Sequence, residues 1–526
     1  MSPKFHLRFL HRAAMLAAML VPSAGHGQTC TLYVATDGND ANAGTLSSPW
    51  RHIQKAATTA MPGSTACVRE GIYNEQVDVR VSGSATAGYI TFQSFPGEHA
   101  IVDGKGIDST SNDGFPVGLF QIKNRSYIAV QNLEVRNFTG RNDGSTFPAG
   151  IYIGTTGSHI QILNNMVHDI NGSPNHIQGA HGIAAYGTSA KASINHLTVS
   201  RNQVFNNHLG QSESTVFNGN VQFWWFTNNI IHDNDNIGFD AIGYEATAPL
   251  FAMCGADRCD RARDGYVGEN LIYNINDNNN PAYLHGDNSA AGIYVDGGLR
   301  IVIERNIMHD CNLGSEITSE NPGGEHPGVE RASYVIARSN LIYHSTSAGI
   351  SIGGYSSRGP GSGTTDHTII VNNTLFGDDT LLTGSGEFQI QFFPNDGTVF
   401  GNLFENNILY TTDQGLVVNN PFRNSHVKFG YNLEFAPDGN PTWFWENSNT
   451  FTNFASWKTA SGDAQSIYAD PQFVNPGGSL PDLRVPASSP AVNAGDNLGP
   501  KIVGTKDLDG KPRVQGANID IGAYEH

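Results

Sequence analysis

A short motif recurs along most of this chain: an Asn, two residues that are mostly apolar, and often a His, Tyr or Phe. Its copies begin at Asn132, Asn165, Asn202, Asn229, Asn270, Asn306, Asn340, Asn373, Asn407 and Asn432. Successive copies lie 25 to 41 residues apart. Repeats of this length are typical of proteins in which each unit stacks on the next one. The chain is therefore predicted to form a solenoid.

The repeating units are built of short strands. Apolar residues alternate with other residues in "RIVIERNIMHD" (300–310) and in "YVIARSNLIYH" (334–344), which indicates β-strands. Gly, Asn, Asp and Ser fill the joints between these strands, as turns require. The shortest unit, from Gly292 to Leu313, has 22 residues, which suits one coil of a parallel β-helix. Longer units are expected to carry loop insertions.

Two repeated side chains are interpreted as structural. The recurring Asn is predicted to form an internal ladder, because a buried Asn can satisfy the backbone groups of turns from coil to coil. His168, His232 and His309 occupy the same position of the motif. A side chain that recurs with the repeat is expected to support the fold rather than catalysis.

The two ends of the chain differ from the repeat. Basic residues precede the apolar run "AAMLAAMLV" (13–21), which is too short to span a bilayer and predicts a signal peptide over residues 1–27. Residues 28–126 are assigned to the first coils and an N-terminal cap, with a short helix near Ile53–Thr59. Coils with active-site loops are expected over 127–436. Residues 437–526 are predicted to form the last coils and a C-terminal cap.

Charge and cysteine content limit the environment and the partners. The formal net charge is −18, which argues against nucleic acid as a partner. We expect a secreted or periplasmic monomer without a membrane span after removal of the signal peptide. Export permits disulfides, and Cys30 could pair with Cys67 and Cys254 with Cys259, leaving Cys311 over. The cysteines lack the spacing of a zinc site.

The segment "YVATDGNDANAGTLSSPWRHIQKAATTAMPGSTACVREGIYNEQV" (33–77) resembles the entry segment of secreted, pectin-lyase-like right-handed β-helix proteins, including pectate lyases of polysaccharide lyase family 9. The ending "DLDGKPRVQGANIDIGAYE" resembles a tail of exported bacterial β-helix proteins. This resemblance implies an all-β, right-handed parallel β-helix that acts on polysaccharide or oligosaccharide. It leaves the reaction open, because this fold hosts lyases, hydrolases, epimerases and adhesins.

Three successive strands depart from the repeat by carrying acids at positions that should point outward. These are Asp240 in "GFDAIGYE" (238–245), Asp296 in "GIYVDGG" (292–298), and Glu316 and Glu320 in "GSEITSE" (314–320). The equivalent strands at 150, 182 and 349 have no acid. The clustering of four acids on adjacent coils favours a functional cleft over an ordinary solvated surface.

Loops and aromatic residues support the same position for a cleft. The largest predicted insertions, 246–264, 277–291 and 321–333, leave from these coils. Expected substrate-binding residues are Tyr294, Tyr244, Trp224, Trp225 and Arg300. The two Trp residues belong to "FWWF" (223–226), of which alternation predicts that about half point into the core.

Paired carboxylates indicate glycoside hydrolysis, in which one acid protonates the leaving oxygen and the other acts as nucleophile or base. Strand geometry places the Cα atom of Asp296 about 8 Å from those of Asp240 and Glu316, which leaves retaining and inverting mechanisms both open. The segment "VDGG…SEITSEN" is also similar to the active-site region of β-helix β-xylosidase-type glycosidases. That likeness favours Asp296 with Glu320, 24 residues later in the chain.

Two alternatives remain. The family 9 resemblance implies a lyase with a Lys base beside bound calcium, but no Lys occurs between Lys191 and Lys428. Asp233, Asp235 and Asp240 are candidate ligands of a calcium ion. Glycoside hydrolysis by two carboxylates would not require a metal. The other alternative is a non-catalytic β-helix that binds glycans or cell surfaces. It predicts that the acids are scattered over different faces.

Overall fold

The protein folds into three long β-sheets whose strands stack along one axis. The computed structural model describes residues 29–110, 114–142, 144–173, 179–249, 254, 257–283, 287–320, 330–354, 364–391, 393, 399–411, 415–421, 426–446 and 449–526. The predicted signal peptide and parts of the three predicted loop insertions lie outside these residues. Among the described residues, no helix combines the length and the apolar character that a membrane span requires.

The described elements are three helices and 41 strands. The helices are α1 (Ile53–Thr59), α2 (Phe454–Ser461) and α3 (Pro500–Val503). The strands are β1 (Leu32–Val34), β2 (Thr65–Val68), β3 (Gly71–Tyr73), β4 (Val77–Val79), β5 (Ile90–Ser94), β6 (Ala100–Asp103), β7 (Val117–Lys123), β8 (Ile128–Gln131), β9 (Glu134–Thr139), β10 (Pro148–Gly154), β11 (Gly157–Leu163), β12 (Met166–Asn171), β13 (His181–Gly187), β14 (Ile194–Ser200), β15 (Gln203–Phe205), β16 (Thr215–Gly219), β17 (Val221–Thr227), β18 (Ile230–Asn234), β19 (Phe239–Ile242), β20 (Arg263–Gly268), β21 (Leu271–Ile275), β22 (Ala291–Asp296), β23 (Leu299–Glu304), β24 (Ile307–His309), β25 (Leu313–Ser319), β26 (Arg331–Ser333), β27 (Ile336–Arg338), β28 (Leu341–Tyr343), β29 (Ile350–Gly354), β30 (Thr364–Asp366), β31 (Ile369–Val371), β32 (Thr374–Phe376), β33 (Phe388–Ile390), β34 (Asn402–Glu405), β35 (Ile408–Tyr410), β36 (Leu416–Asn420), β37 (Val427–Gly430), β38 (Leu433–Phe435), β39 (Thr442–Trp445), β40 (Asn449–Phe451) and β41 (Ile467–Tyr468).

Along each coil, successive strands belong to the three sheets in turn. Sheet 1 contains β4, β7, β10, β13, β16, β19, β22, β25, β29, β33, β36, β39 and β40. Sheet 2 contains β1, β2, β5, β8, β11, β14, β17, β20, β23, β26, β27, β30, β31, β34 and β37. Sheet 3 contains β3, β6, β9, β12, β15, β18, β21, β24, β28, β32, β35, β38 and β41. Neighbouring strands are parallel, except that β39 and β40 pair antiparallel. The predicted all-β parallel β-helix is confirmed.

The alternation of side chains along the strands defines one continuous core inside the coils. On β22, Ile293 and Val295 are fully buried in this core, as Ile317 is on β25. Ala291 pairs with Leu313, so this coil repeats after 22 residues, as the sequence predicts. The residues between the inward positions lie on the outer face of sheet 1, where the acids are found.

The predicted internal Asn ladder is present. The Oδ1 atom of Asn306 accepts hydrogen bonds from the backbone N of Asn270 at 3.0 Å and from its Nδ2 at 2.9 Å. The same arrangement links Asn165, Asn202, Asn229, Asn270, Asn306, Asn340, Asn373, Asn407 and Asn432. Asn132 is one residue out of register, because Leu133 occupies the ladder position and its backbone N donates to Asn165.

The repeated His residues stack with other aromatic rings on the outer face of sheet 3. His232 lies between Phe205 and Tyr273, with ring centroids 5.0 Å and 4.9 Å away and nearly parallel planes. The Nδ1 atom of His232 is also 2.6 Å from the carboxylate of Asp233. His168 and His309 make equivalent contacts. These contacts support the structural interpretation of the three His residues.

The two ends are closed in different ways. Helix α1 buries Ile53, Ala56 and Ala57 in the core at the first coils, as predicted for the N-terminal cap. At the other end, Trp457 of α2 is fully buried and stacks on Trp443.

The last residues of the chain differ from the prediction of a C-terminal cap. They lie along the outer face of sheet 3, where residues such as Leu483 and Ile521 pack against Tyr343 and Ile408. We call residues 470–526 the tail. The outer face of sheet 3 carries apolar residues. The tail lies there because it shields these residues from water.

Both disulfides that the sequence suggested are formed. Cys30 is bonded to Cys67, and Cys254 is bonded to Cys259. Cys311 is a free cysteine that is buried in the core. The first bond ties the N-terminal strand β1 to β2, and the second closes a short loop beside the coils that carry the acids.

Candidate active site

The outer face of sheet 1 brings the predicted acids together. Asp240 of β19 pairs with Tyr294 of β22, which in turn pairs with Glu316 of β25. Asp296 lies two residues beyond Tyr294 on the same face and pairs with Thr318. This is the register that the sequence analysis predicted, and the acids are not scattered over different faces.

These acids point away from the core and yet are hardly exposed. The exposed fractions are 2% for Asp240, 3% for Asp296 and 1% for Glu316. Glu320, just beyond the end of β25, is half-buried. The site is therefore a buried acidic cluster with one more accessible carboxylate, rather than a row of solvated surface acids.

Hydrogen bonds connect the acids into a defined arrangement. The backbone N of Glu320 donates to Oδ1 of Asp296 at 2.7 Å. The hydroxyl of Tyr294 donates to Oε1 of Glu320 at 3.1 Å and lies 2.8 Å from the hydroxyl of Thr318. Nε2 of Gln391 donates to Oε1 of Glu316 at 2.9 Å. The contact between Asp296 and Glu320 joins the two residues that the sequence analysis preferred as a pair.

Two further acids belong to the cluster and were not predicted. Glu213 precedes β16 and is 8% exposed, while Glu245 follows β19 and accepts a hydrogen bond from Nδ2 of Asn218 at 2.7 Å. Both lie outside the strands, where alternation no longer predicts the direction of a side chain. The sequence feature that could have identified Glu213 and Glu245 is their position on coils next to Asp240.

Burial and like charge together raise the pKa values of the cluster. Burial is the main cause that raises the pKa of Asp296 well above its usual range, followed by the charges of Glu320 and Glu245. Burial likewise raises the pKa of Asp240, followed by the charges of Glu213 and Asp296. The pKa of Glu213 is raised by burial and by Glu245. The protonated form of these carboxyl groups is therefore favoured relative to that of ordinary Asp and Glu residues, which suits a general acid.

Three of the predicted substrate-binding residues lie elsewhere. Trp224 is fully buried in the core and cannot contact a substrate. Trp225 faces outward on β17 of sheet 2, not on sheet 1. Arg300 is also on sheet 2, where it forms ion pairs with Asp257 at 2.8 Å and Asp264 at 2.6 Å. The alternation within "FWWF" is as predicted, but the choice of sheet was wrong.

The two predicted Tyr residues do lie at the site. Tyr294 is 2% exposed and stands between Asp240 and Glu316 in the pairing of the strands. Tyr244 follows β19 and packs over the turn after Asp296, since a Cβ atom on Gly297 would come within 2.9 Å of its Cδ2. Arg261 covers the ring of Tyr244 at 5.1 Å.

The suggested calcium ligands do not converge. Asp233 lies on sheet 3 beside His232. Asp235 accepts from the backbone N of Leu209 at 2.6 Å and contacts His208, while Asp240 lies on sheet 1. In the described part of the chain, no three His, Cys, Asp or Glu side chains are grouped so that they could hold a metal ion. These three carboxylates therefore do not form one site.

Comparison with known proteins agrees with this architecture. Residues 32–269 match the family described as Pel9A-like, right handed beta helix region. The uncharacterized protein YwoF of Bacillus subtilis (strain 168) is 34% identical over 447 residues, which cover 84% of this chain and 88% of that protein. The chain therefore belongs to the family of YwoF, and its residues 32–269 are similar to the Pel9A-like right-handed β-helix region.

Two other similar proteins act on carbohydrates. Pectate lyase PEL9 of Emericella nidulans is 33% identical over 114 residues, which cover 20% of this chain and 28% of that protein. The crystal structure of a GH136 lacto-N-biosidase from Eubacterium ramulus superposes with a TM-score of 0.52 at 13% identity, over 77% of this chain and 67% of that one. The second likeness concerns the fold alone.

Proposed function

We propose that the protein is a glycoside hydrolase with its catalytic centre at the acidic cluster on the outer face of sheet 1. One observation carries the proposal. Asp296, whose pKa is raised by burial and neighbouring acids, is hydrogen-bonded through Oδ1 to the backbone of Glu320, a second and more accessible carboxylate. Glycoside hydrolysis needs one carboxyl group that carries a proton and another that is charged.

The roles of the two residues follow from their surroundings. Asp296 is buried and is assigned as the general acid that protonates the leaving oxygen. Glu320 accepts a hydrogen bond from the hydroxyl of Tyr294. It is assigned as the nucleophile or as the base that activates water. Asp240 accepts a hydrogen bond from the backbone N of Asp296 at 3.4 Å and is assigned an assisting role beside the general acid.

The family relationship supports carbohydrate as the substrate class, and it also raises the second candidate, a pectate-type lyase. A pectate lyase is similar to a fifth of the chain. A Lys base is not available from the sequence between Lys191 and Lys428, which contains the whole cluster. Arg is a reluctant base because its pKa is so high. These points favour the hydrolase.

The test follows two products in the same reaction. The purified chain is incubated with neutral and uronic-acid glycans, with and without chelator. New reducing ends without unsaturated products are expected. Unsaturated products that absorb ultraviolet light and need calcium would instead establish a lyase.

The catalytic roles are tested by Asp296→Asn and Glu320→Gln. The Asn oxygen can still accept the bond from the backbone of Glu320, so the fold is expected to remain intact. A loss of at least about 10²-fold in kcat is expected for each variant. Asp310→Asn, which removes an exposed acid from sheet 3, is the control. Full activity of Asp296→Asn would remove that residue from the mechanism.

A further inference from the structure

The charged groups that act most strongly on Asp240 and Asp296 are all acidic. Apart from burial, the leading charge effects on the pKa of Asp240 come from Glu213, Asp296, Glu245 and Glu320. Those on Asp296 come from Glu320, Glu245 and Glu316. Each of these groups is an acid. The carboxyl groups of the cluster that are ionised therefore present a negative potential to a ligand, and burial strengthens that potential by excluding water.

Arg261, a cation beside the cluster, is bound to backbone groups of the protein. Arg261 is 5% exposed, and its guanidinium donates to the backbone oxygens of Gly297 at 2.7 Å and Gly298 at 3.0 Å, and also to that of Arg331. These bonds fix the turn that follows Asp296. The guanidinium is thus occupied by protein carbonyl groups and is not offered to the carboxylate of a ligand.

Uncharged polar groups flank the acids on the outer face of sheet 1. Ser351 pairs with Glu316 on the next coil, and Gln389 pairs with Ser351 on the coil after that. Nε2 of Gln391 donates to both Glu316 and Ser351, at 2.9 Å in each case. Asn218 lies on the other side, on β16. Amides and hydroxyls are suitable partners for sugar hydroxyl groups.

We infer that this site takes a neutral glycan and excludes uronic-acid glycans. The inference rests on the proposed function. Among the residues that the structure describes, a uronate carboxylate would meet the acids of the cluster and an Arg261 whose guanidinium is already bound to carbonyl groups, which costs far more than in water.

The inference is tested by binding, independently of turnover. Calorimetry measures the affinity of the full chain for neutral xylo-, galacto-, gluco- and manno-oligosaccharides and for galacturonate and mannuronate oligosaccharides of equal length. At least one neutral series is expected to bind at least about tenfold more tightly than every uronate series. Equal or tighter binding of a uronate, or no binding of any neutral glycan, would overturn the inference.

A charge variant tests the cause of the selectivity. Glu245→Gln with Glu316→Gln keeps one acceptor oxygen at each position and removes both carboxylates, so the preference for neutral glycans should fall several-fold. Asp310→Asn on sheet 3 is the control and should leave the preference unchanged. An unchanged preference in the double variant would show that these acids do not set it. Neutral binding without cleavage would overturn the hydrolase proposal and leave the substrate class standing.

Discussion

At the scale of single residues, the decisive feature is the position of Asp296 at the end of β22. Its strand neighbours Ile293 and Val295 fill the core, whereas its own side chain joins acids from the two adjacent coils. Burial and like charge raise the pKa of a carboxyl group in such a place and so favour its protonated form. The local fold therefore supplies an acid, and the surrounding residues set its pKa.

The charge of Glu245 should be visible in the pH dependence of activity. Glu245 is exposed, and its charge helps raise the pKa of Asp296. In Glu245→Gln, the pKa of Asp296 falls, so the general acid loses its proton at a lower pH. The alkaline limb of kcat against pH is expected to move to lower pH, measured over a pH series with Asp310→Asn in parallel. A shift to higher pH would contradict the assigned role of Asp296.

Much of the site was predictable from the sequence, because strand alternation determines which residues face outward. This rule identified Asp240, Asp296 and Glu316 and their relative register. It could not find Glu213 and Glu245, which lie beyond the strand ends. It also could not say which of three sheets a strand joins, and so Trp225 and Arg300 were placed at the wrong face.

At the scale of elements, the Asn ladder is the device that holds successive turns in register. Each Asn side chain in its interior accepts hydrogen bonds from the preceding rung and donates to the following rung and to a strand carbonyl. Nδ2 of Asn306, for example, donates to Asn340 at 3.0 Å and to the carbonyl of Val267 at 3.1 Å. The sequence predicted this ladder because the motif repeats. It misplaced only the first rung, where a Leu substitutes for Asn at position 133.

Removing one rung should destabilise the fold strongly. Asn306→Ala leaves the backbone N and the amide of Asn270 and the carbonyl of Val267 without their partner in the buried interior. Unpaired buried polar groups cost about 1–3 kcal/mol each, so a loss of roughly 3 kcal/mol in the free energy of unfolding is expected. Denaturant unfolding measures it. Asn195→Ala, on the outer face of sheet 2, should cost less than about 1 kcal/mol.

At the scale of the whole molecule, the tail joins distant coils. Nδ2 of Asn372 donates to the backbone oxygen of Asp520 at 2.9 Å, and the backbone N of Ala523 donates to the hydroxyl of Thr374 at 3.0 Å. Nη1 of Arg338 donates to the backbone oxygen of Lys501 at 3.0 Å. The sequence indicated a terminal cap but not its position, because strand alternation shows which residues point outward and does not show which other segment covers them.

The docking of the tail depends on a few buried apolar residues. Ile521 is 1% exposed, so Ile521→Ala is expected to cost about 2–5 kcal/mol through lost contacts and a cavity. Limited proteolysis should then cleave within 470–526 much faster than in the wild type. Val514→Ala, at a position that is 42% exposed in the same tail, is the matched control and should leave the cleavage rate unchanged. Equal cleavage of the two variants would show that the tail is held by other contacts.

The position of the tail also sets an order of folding. Neighbouring coils close loops of a few tens of residues, whereas the tail meets partners up to 164 residues away in the chain. Closing a longer loop costs more chain entropy, and the surface that receives the tail exists only after its coils have stacked. Docking of the last residues is therefore the final event. A chain interrupted before residue 470 would leave the apolar side of its middle coils open to association with other copies.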